Sequence, residues 1–121
     1  MPLQQSKAEK ITELTTTLEF DSLLSQELTV IFKHSTTCPI SHFAHREVTR
    51  FCEKDGATPV YLISVRRQRE VARYIAQRTG VQHESPQVVI LRRGEVLGAA
   101  SHDEITAEWI ASAIASRTTR H

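Results

Sequence analysis

The side chain best suited to redox chemistry lies in the segment T-T-C-P-I-S, residues 36–41. Cys38 and Ser41 form a C-x-x-S motif, in which a serine stands where a dithiol redox motif has its second cysteine. A thiolate attacks disulfides, whereas a hydroxyl cannot displace a mixed disulfide. Ser41 is still expected to support the anion by donating a hydrogen bond to the sulfur. The motif therefore indicates thiol–disulfide exchange by a single cysteine.

The second cysteine, Cys52, is not expected to resolve a disulfide on Cys38. Both residues fall in one predicted helix, where fourteen residues at about 1.5 Å each separate them by roughly 21 Å. A disulfide needs Cα atoms within about 7 Å of each other. Cys52 lies near the apolar face with Val48 and Phe51, so we interpret it as a buried structural cysteine.

Helices and strands alternate along the chain around this motif. Thr16 and Glu19 form a capping box that begins a first helix, at about residues 18–26. Strands are predicted at 28–33, 58–65, 87–91 and 95–100, and further helices begin at Pro39, at Arg67 and after a second capping box at Ser101 and Glu104. The polar ends, 1–9 and 117–121, are expected to be frayed.

Strand–helix–strand units imply parallel pairing, and the hairpin near the end of the chain adds antiparallel strands. The order predicts a single domain of the α/β class. It is thioredoxin-like, a central mixed four-stranded sheet flanked by helices, with an extra N-terminal helix. Cys38 then lies between a strand and a helix, and Pro39 suits the first helical position because it lacks an N–H. The helix N-terminus there favours a thiolate, although a buried core cysteine is the alternative.

A second segment, H-E-S-P-Q at residues 83–87, precedes the third predicted strand. A proline at that place cannot donate to a sheet ladder. In a thioredoxin-like fold it is cis and lies beside the nucleophilic sulfur. We therefore predict a cis Pro86, with the backbone of Ser85 exposed to an extended substrate. The alternative is a proline that simply begins a strand.

Polar and basic residues are predicted around the site. His34, His83 and Glu84 lie at strand ends on the expected side of Cys38, where His83 and Glu84 could form a pair. Local capping of the loops is the alternative. Arginines are unfavourable at a helix start, so R-R-Q-R at 66–69 could instead meet an anionic ligand, helped by Lys33. A solvated basic face is the alternative.

A metal site is a further possibility, for Cys38 and two histidines that follow it. Cys38, His42 and His45 share one helix face, and a set of nitrogen and sulfur ligands suits zinc. The frayed first turn and the lack of a second nearby cysteine argue against it, so we predict no metal. We expect the histidines to face solvent at the mouth of the site or to assist acid–base chemistry.

Composition limits the function classes. The chain has 121 residues, of which 40% are hydrophobic and 24% charged, with a formal net charge of +1. These values fit one domain and give no signal for a nucleic-acid partner. No apolar run reaches the roughly 18 residues of a membrane span, and the polar start is not a signal peptide. We therefore expect a cytoplasmic protein without a membrane partner, where structural disulfides are disfavoured.

Three segments together resemble the monothiol bacilliredoxins of the YtxJ type. They are F-K-H-S-T-T-C-P-I-S (32–41), H-E-S-P-Q (83–87) and A-S-H-D-E-I (100–105), and their order and spacing match over roughly residues 10–112. The resemblance implies a thioredoxin fold, Cys38 as the single nucleophile and Pro86 as the cis-proline. It also implies bacillithiol, a low-molecular-weight thiol, as co-substrate, without a tightly bound cofactor.

The activity implied by this resemblance is the removal of bacillithiol, or another small thiol, from S-thiolated proteins. The residues expected to act in it are the catalytic Cys38, Pro39 and Ser41 and the substrate-binding Lys33, His34, Thr37, His83, Glu84, Ser85 and Pro86.

Two other functions fit the same fold. Monothiol glutaredoxin-like proteins use a C-x-x-S cysteine and glutathione to hold an iron–sulfur cluster, but usually with Gly and Phe where Pro39 and Ile40 stand here. A thioredoxin-like binding module without catalysis is the third reading. It predicts a Cys38 that is alkylated no faster than free cysteine.

Overall fold

The computed structural model describes residues 11–118 and arranges them as a five-stranded sheet with helices on both faces. The strands are β1 (Ile11–Glu13), β2 (Thr29–His34), β3 (Val60–Ser64), β4 (Gln87–Arg92) and β5 (Glu95–Ser101). The helices are α1 (Thr17–Ser22), α2 (Pro39–Asp55), α3 (Arg69–Thr79) and α4 (Ala107–Thr118), with 3-10 turns at Leu23–Ser25 and His102–Glu104.

The sheet is mixed, as predicted, and its strand order is β1-β3-β2-β4-β5. Strand β3 runs parallel to both β1 and β2. Strand β4 runs antiparallel to β2 and to β5. The thioredoxin-like α/β arrangement is therefore confirmed, and all six residues of the central strand β2 are buried.

The prediction of four strands is wrong, because β1 adds a fifth at the sheet edge. Its three residues pair only with Val60–Leu62 of β3, and so short a run shows too little alternation to be recognised. The first helix is α1, which joins β1 to β2 instead of preceding the whole sheet. The expectations of frayed ends at 1–9 and 119–121 lie outside the described residues, whereas α4 extends to Thr118.

Local signals account for most of the element ends. The capping box is present, with the Glu19 N–H donating to Thr16 Oγ1 at 3.1 Å and the Thr16 N–H donating to the Glu19 carboxylate at 3.3 Å. The β4–β5 hairpin turns at Arg93 and Gly94, both with positive φ, which suits a two-residue turn. The second capping box caps the 3-10 turn after Ser101, so α4 begins later than predicted.

Two apolar clusters lie on opposite sides of the sheet. One packs Phe32 against α2 and α4, and the other packs Ile31 against α1 and α3. Successive side chains of a strand point to opposite faces. The polar end of β2 continues this alternation, so that Lys33 lies on the α3 side and His34 on the α2 side. The last two residues of β2 therefore place different polar groups on the two faces of the sheet, next to the segment that leads to Cys38.

Candidate active site

Cys38 is the N-cap residue of α2, and its side chain is half-buried. Pro39 follows at the first helical position, as the sequence predicts. The Cys38 carbonyl accepts the N–H groups of Ser41 and His42 at 3.0 and 3.2 Å, which starts the helix at the cysteine. Cys52 is buried near the other end of the same helix, and neither cysteine is in a disulfide. The structure therefore offers Cys38 no internal partner.

Ser41 makes a different contact from the one expected. Its hydroxyl oxygen is fully buried and accepts the N–H of Ser35 at 2.9 Å. Among the described residues, Ser41 makes no hydrogen bond to the Cys38 sulfur. The serine instead fixes the loop that precedes the cysteine, so we treat it as a positioning residue.

A second contact ties this loop to the segment before α3. Thr37 Oγ1 lies 3.2 Å from the hydroxyl of Ser35 and accepts a hydrogen bond from Arg66 Nη1 at 3.3 Å. Thr37 is exposed, and it immediately precedes Cys38. Arg66 is thereby held close to the candidate nucleophile.

The Ser85–Pro86 peptide bond is cis, as predicted. Strand β4 begins at Gln87, which pairs with Lys33 of β2 in the antiparallel register. Extending this register by one residue places Pro86 opposite His34, the last residue of β2. Pro86 therefore lies at the end of the sheet from which the chain continues to Cys38. The Pro86 carbonyl accepts the N–H of His102 at 3.0 Å, which fixes this segment to the end of β5.

Lys33 is fully buried, and its Nζ lies 3.1 Å from Nδ1 of His83. Burial lowers the pKa of Lys33 to about 8. Because an ammonium group only donates, Nδ1 must accept and the ring proton of neutral His83 lies on Nε2. Burial, followed by the charge of Lys33, also lowers the pKa of His83.

The predicted pair between His83 and Glu84 is wrong. Glu84 instead lies 3.4 Å from Nε2 of His102, in a half-exposed contact. The two side chains have different partners on either side of the loop. His83 turns towards Lys33, while its neighbour turns towards the end of β5.

Three histidine rings gather behind Cys38. The ring centroid of His34 lies 5.9 Å from that of His42 and 5.1 Å from that of His45. His42 is exposed, as expected, and its Nε2 contacts the Thr36 carbonyl at 2.8 Å. His34 is only 7% exposed, and burial, with smaller contributions from the other two rings, lowers its pKa to about 4. Within residues 11–118, no group of three potential ligands is arranged to hold a metal ion.

Buried polar atoms without a hydrogen-bond partner mark the same region. In the described part of the chain they are His34 Nδ1, Ser85 Oγ and Gln87 Oε1. All three residues lie where β2 ends and β4 begins. Buried polar atoms in proteins are normally satisfied, so these atoms can accept or exchange hydrogen bonds with a bound molecule or water.

The comparison with protein families decides the class of this site. The family model for the monothiol bacilliredoxin BrxC matches residues 10–110. The chain belongs to the monothiol bacilliredoxin family. Membership agrees with the resemblance carried by the three sequence segments and favours it over the glutaredoxin-like alternative. A thiol oxidoreductase with a thioredoxin fold is therefore the class that the bacilliredoxin match and the structure share.

Solved structures are similar over nearly the whole chain. A protein described as a proposed oxidoreductase with a thioredoxin fold is 29% identical, with a TM-score of 0.83, and the match covers 92% of this chain and 99% of that one. Mitochondrial thioredoxin 3 of Saccharomyces cerevisiae is 18% identical, with a TM-score of 0.72 and the same coverage. Thioredoxin of Trypanosoma brucei brucei is 14% identical, with a TM-score of 0.75 over 91% of this chain and 92% of that one. The two thioredoxins support the fold alone.

The segment 66–69, which was predicted to meet an anionic ligand, did not include one arginine of this bacilliredoxin site, Arg73. Arg69 and Arg73 line a cavity of about 400 Å³ next to Arg66 and His83. The spacing of Arg69 and Arg73, one helical turn apart, places them on the same face of α3 and was the available signal.

No helix among residues 11–118 is long and apolar enough to cross a membrane.

Proposed function

We propose that this bacilliredoxin family member removes a small thiol, with bacillithiol as the first candidate, from mixed disulfides on proteins. The observation that carries the proposal is the position of Cys38, a half-exposed N-cap thiol without an internal thiol partner. The other thiol, Cys52, is 3% exposed and cannot take part in exchange with a protein substrate.

The reaction requires two thiol–disulfide exchanges. In the first, the Cys38 thiolate attacks the small-thiol sulfur of protein–S–S–R. A Cys38–S–S–R bond forms, and the protein thiolate leaves and takes a proton from water. In the second, another R–S⁻ attacks the R sulfur on Cys38, which releases R–S–S–R and regenerates the Cys38 thiolate. In sum, protein–S–S–R and one R–SH give protein–SH and R–S–S–R, so one molecule of R–SH is oxidised for each adduct removed.

Exposed apolar side chains beside Cys38 suit a protein substrate. Ile40 and Phe43 are 44% and 64% exposed, and both lie in the first two turns of α2. Large exposed apolar residues near a reactive group often mark a contact surface. We place the target protein on this side of the site and along the backbone of Ser85 and Pro86.

The remaining substrate-binding residues divide into direct and indirect ones. Thr37 and His83 are exposed and can touch a ligand. Lys33 and His34 are buried, so we propose that they act through neighbours, Lys33 by fixing His83 and His34 by packing under α2. Glu84 fixes the loop through its contact with His102.

Intact mass spectrometry with a bacillithiol-modified target protein tests the proposal. The wild-type chain should remove the adduct from the target and carry one bacillithiol itself when no reducing thiol is present. Cys38→Ser should do neither, and Cys52→Ser should behave like the wild type. If Cys38→Ser still takes up the adduct, or if the wild type leaves the target modified, the proposed function is wrong. A parallel series with glutathione- and cysteine-modified target identifies the preferred small thiol.

A further inference from the structure

A basic cavity lies between the start of α3 and the loop that leads to Pro86. Its lining residues are Val65, Arg66, Arg69, Ala72, Arg73 and His83, and its volume is about 400 Å³. We call it the arginine cavity. The size is that of a small-molecule site, and the lining combines an apolar floor with three guanidinium groups. No acidic residue lines it.

The arginines of the cavity have no acidic partner among residues 11–118. Arg69 and Arg73 make no ion pair with any described residue, and Arg66 donates only to the Thr37 hydroxyl. Other arginines near α3 are paired, for Arg67 lies 3.6 Å from Glu13 and Arg78 lies 2.9 Å from Asp21. Three unpaired guanidinium groups around one cavity attract an anion, because each fork of N–H donors matches a carboxylate.

His83 adds a neutral donor to this cationic wall. Its Nδ1 accepts from the buried Lys33 ammonium, so its Nε2–H is the ring group left to bond a ligand. Lys33 lies behind it, adding a fourth positive charge that solvent does not reach. Glu84, the acidic residue nearest to His83 in sequence, is held by His102. Positive charges thus face His83 from the helix and from the sheet, and Glu84 is the one acidic group among the described residues whose charge acts on the ring.

The arginine cavity adjoins the reactive cysteine. Arg66 lines the cavity and donates to Thr37, the residue before Cys38. His83 also lines the cavity and lies three residues before Pro86. A molecule attached to the Cys38 sulfur therefore has the cavity within reach of its far end.

We propose that the arginine cavity binds the carboxylates of the small thiol and so selects anionic thiols over neutral or cationic ones. The proposal rests on the function proposed above, because it assigns the binding site of the R group in Cys38–S–S–R. The class of ligand is a small thiol that carries one or more carboxylates. Arg69 and Arg73 are its main charge contacts, and His83 supplies a neutral hydrogen bond.

A series of thiols of similar size and different charge tests this selectivity. A target protein is modified with cysteamine, 2-mercaptoethanol, 3-mercaptopropionate or mercaptosuccinate, and kcat/KM for removal is measured. We expect values to rise along that order, by about tenfold or more between the first and the last. Arg69→Gln/Arg73→Gln should remove most of the difference by raising KM for the anionic adducts. Arg67→Gln, which removes one arginine charge just before α3 and outside the cavity, should keep it.

A second measurement separates failure of the cavity from failure of the proposed function. Cys38 is alkylated with anionic iodoacetate and with neutral iodoacetamide, and the ratio of the two rates cancels differences in thiol ionisation. Arg69→Gln/Arg73→Gln should lower the ratio by about threefold, whereas Arg67→Gln should not. Equal removal of all four adducts by the wild type overturns the cavity and leaves the function intact. If no adduct is removed, the function is wrong, and an unchanged alkylation ratio overturns the cavity as well.

Discussion

The ammonium group of Lys33 lies 3.1 Å from Nδ1 of His83, although fifty residues separate them in sequence and Lys33 is fully buried. The contact joins the central strand to the loop before Pro86. A buried charge with a neutral partner lowers stability, so a residue kept in this way points to a role in the site. The same free-energy cost makes the contact detectable in measurements of unfolding.

Lys33 should make the stability of the protein depend on alkaline pH. The folded-state pKa of Lys33 is about 8, below its ordinary value of 10.5. Below pH 8 both states carry the proton and the burial cost is present in full. Between pH 8 and 10.5 the unfolded state binds the proton more tightly, so the free energy of unfolding should rise with pH, by about 3 kcal/mol at most.

Urea unfolding of the wild type and Lys33→Met over pH 7–10.5 measures this dependence. The variant should be more stable at pH 7, and its advantage should disappear towards pH 10.5. Lys54→Met, which changes an exposed lysine, serves as the matched control. A constant difference between wild type and Lys33→Met over the whole range would contradict the assignment.

His34 should have the corresponding effect at acidic pH. Burial holds the folded-state pKa at about 4, below the ordinary value of 6.5. The neutral ring is therefore favoured in the fold, and stability should fall as the pH drops from 6.5 towards 4. The loss assigned to this residue is at most about 3 kcal/mol.

The variant His34→Phe keeps an aromatic ring next to Phe32 and His45 and removes the titration. Relative to the wild type, it should gain stability steadily between pH 6.5 and 4 in thermal or urea unfolding. His102→Asn, on an exposed histidine, should show no such gain. The idea fails if both variants follow the wild type in parallel.

Removing the Ser41 hydroxyl should loosen the loop before Cys38. Ser41→Ala leaves the Ser35 N–H without its 2.9 Å acceptor in a buried place, a loss of about 1–3 kcal/mol. We expect a lower free energy of unfolding and a slower first exchange, measured by stopped-flow mixing with a modified target. Ser112→Ala, at an exposed position of α4, is the control. Unchanged stability in Ser41→Ala would show that the hydroxyl does not hold the loop.

Phe43 should matter for protein substrates and not for small disulfides. Its ring is 64% exposed on α2, with the Arg46 guanidinium 5.6 Å from the ring centre. Phe43→Ser should lower kcat/KM for a thiolated protein by about tenfold and leave exchange with a small mixed disulfide unchanged. Leu18→Ser removes an equally exposed side chain from α1, on the other face of the sheet, and should have no effect. Equal losses on both substrate classes would place Phe43 in the chemistry instead of in docking.

The sequence predicted the elements whose signals are local. The C-x-x-S motif, the capping box at Thr16 and the hairpin at Gly94 each depend on a few neighbouring residues, whereas the cis Pro86 followed from the predicted thioredoxin-like fold. Strand β1 escaped notice because its three residues gain their structure from pairing with β3. An edge strand of that length has almost no pattern of its own.

The contacts within the site could not be predicted for a related reason. Whether His83 meets Glu84 or Lys33 depends on the register of β4 against β2, which one sequence does not specify. The Ser41 hydroxyl could bond either the Cys38 sulfur or the backbone of the preceding loop. The conformation of that loop places the Ser35 N–H next to it. The arginine cavity needs α3 and the loop at His83 to come together, which only the tertiary fold provides.

The position of Cys52 inside the 17-residue helix α2 has a kinetic consequence. A protein with a resolving cysteine releases the small thiol by an internal attack, at a rate independent of the concentration of free small thiol. In this chain, an adduct on Cys38 would persist until a second small-thiol molecule attacks it. Under the proposed function, its turnover would therefore follow the concentration of free small thiol, and repair would slow whenever that pool is depleted.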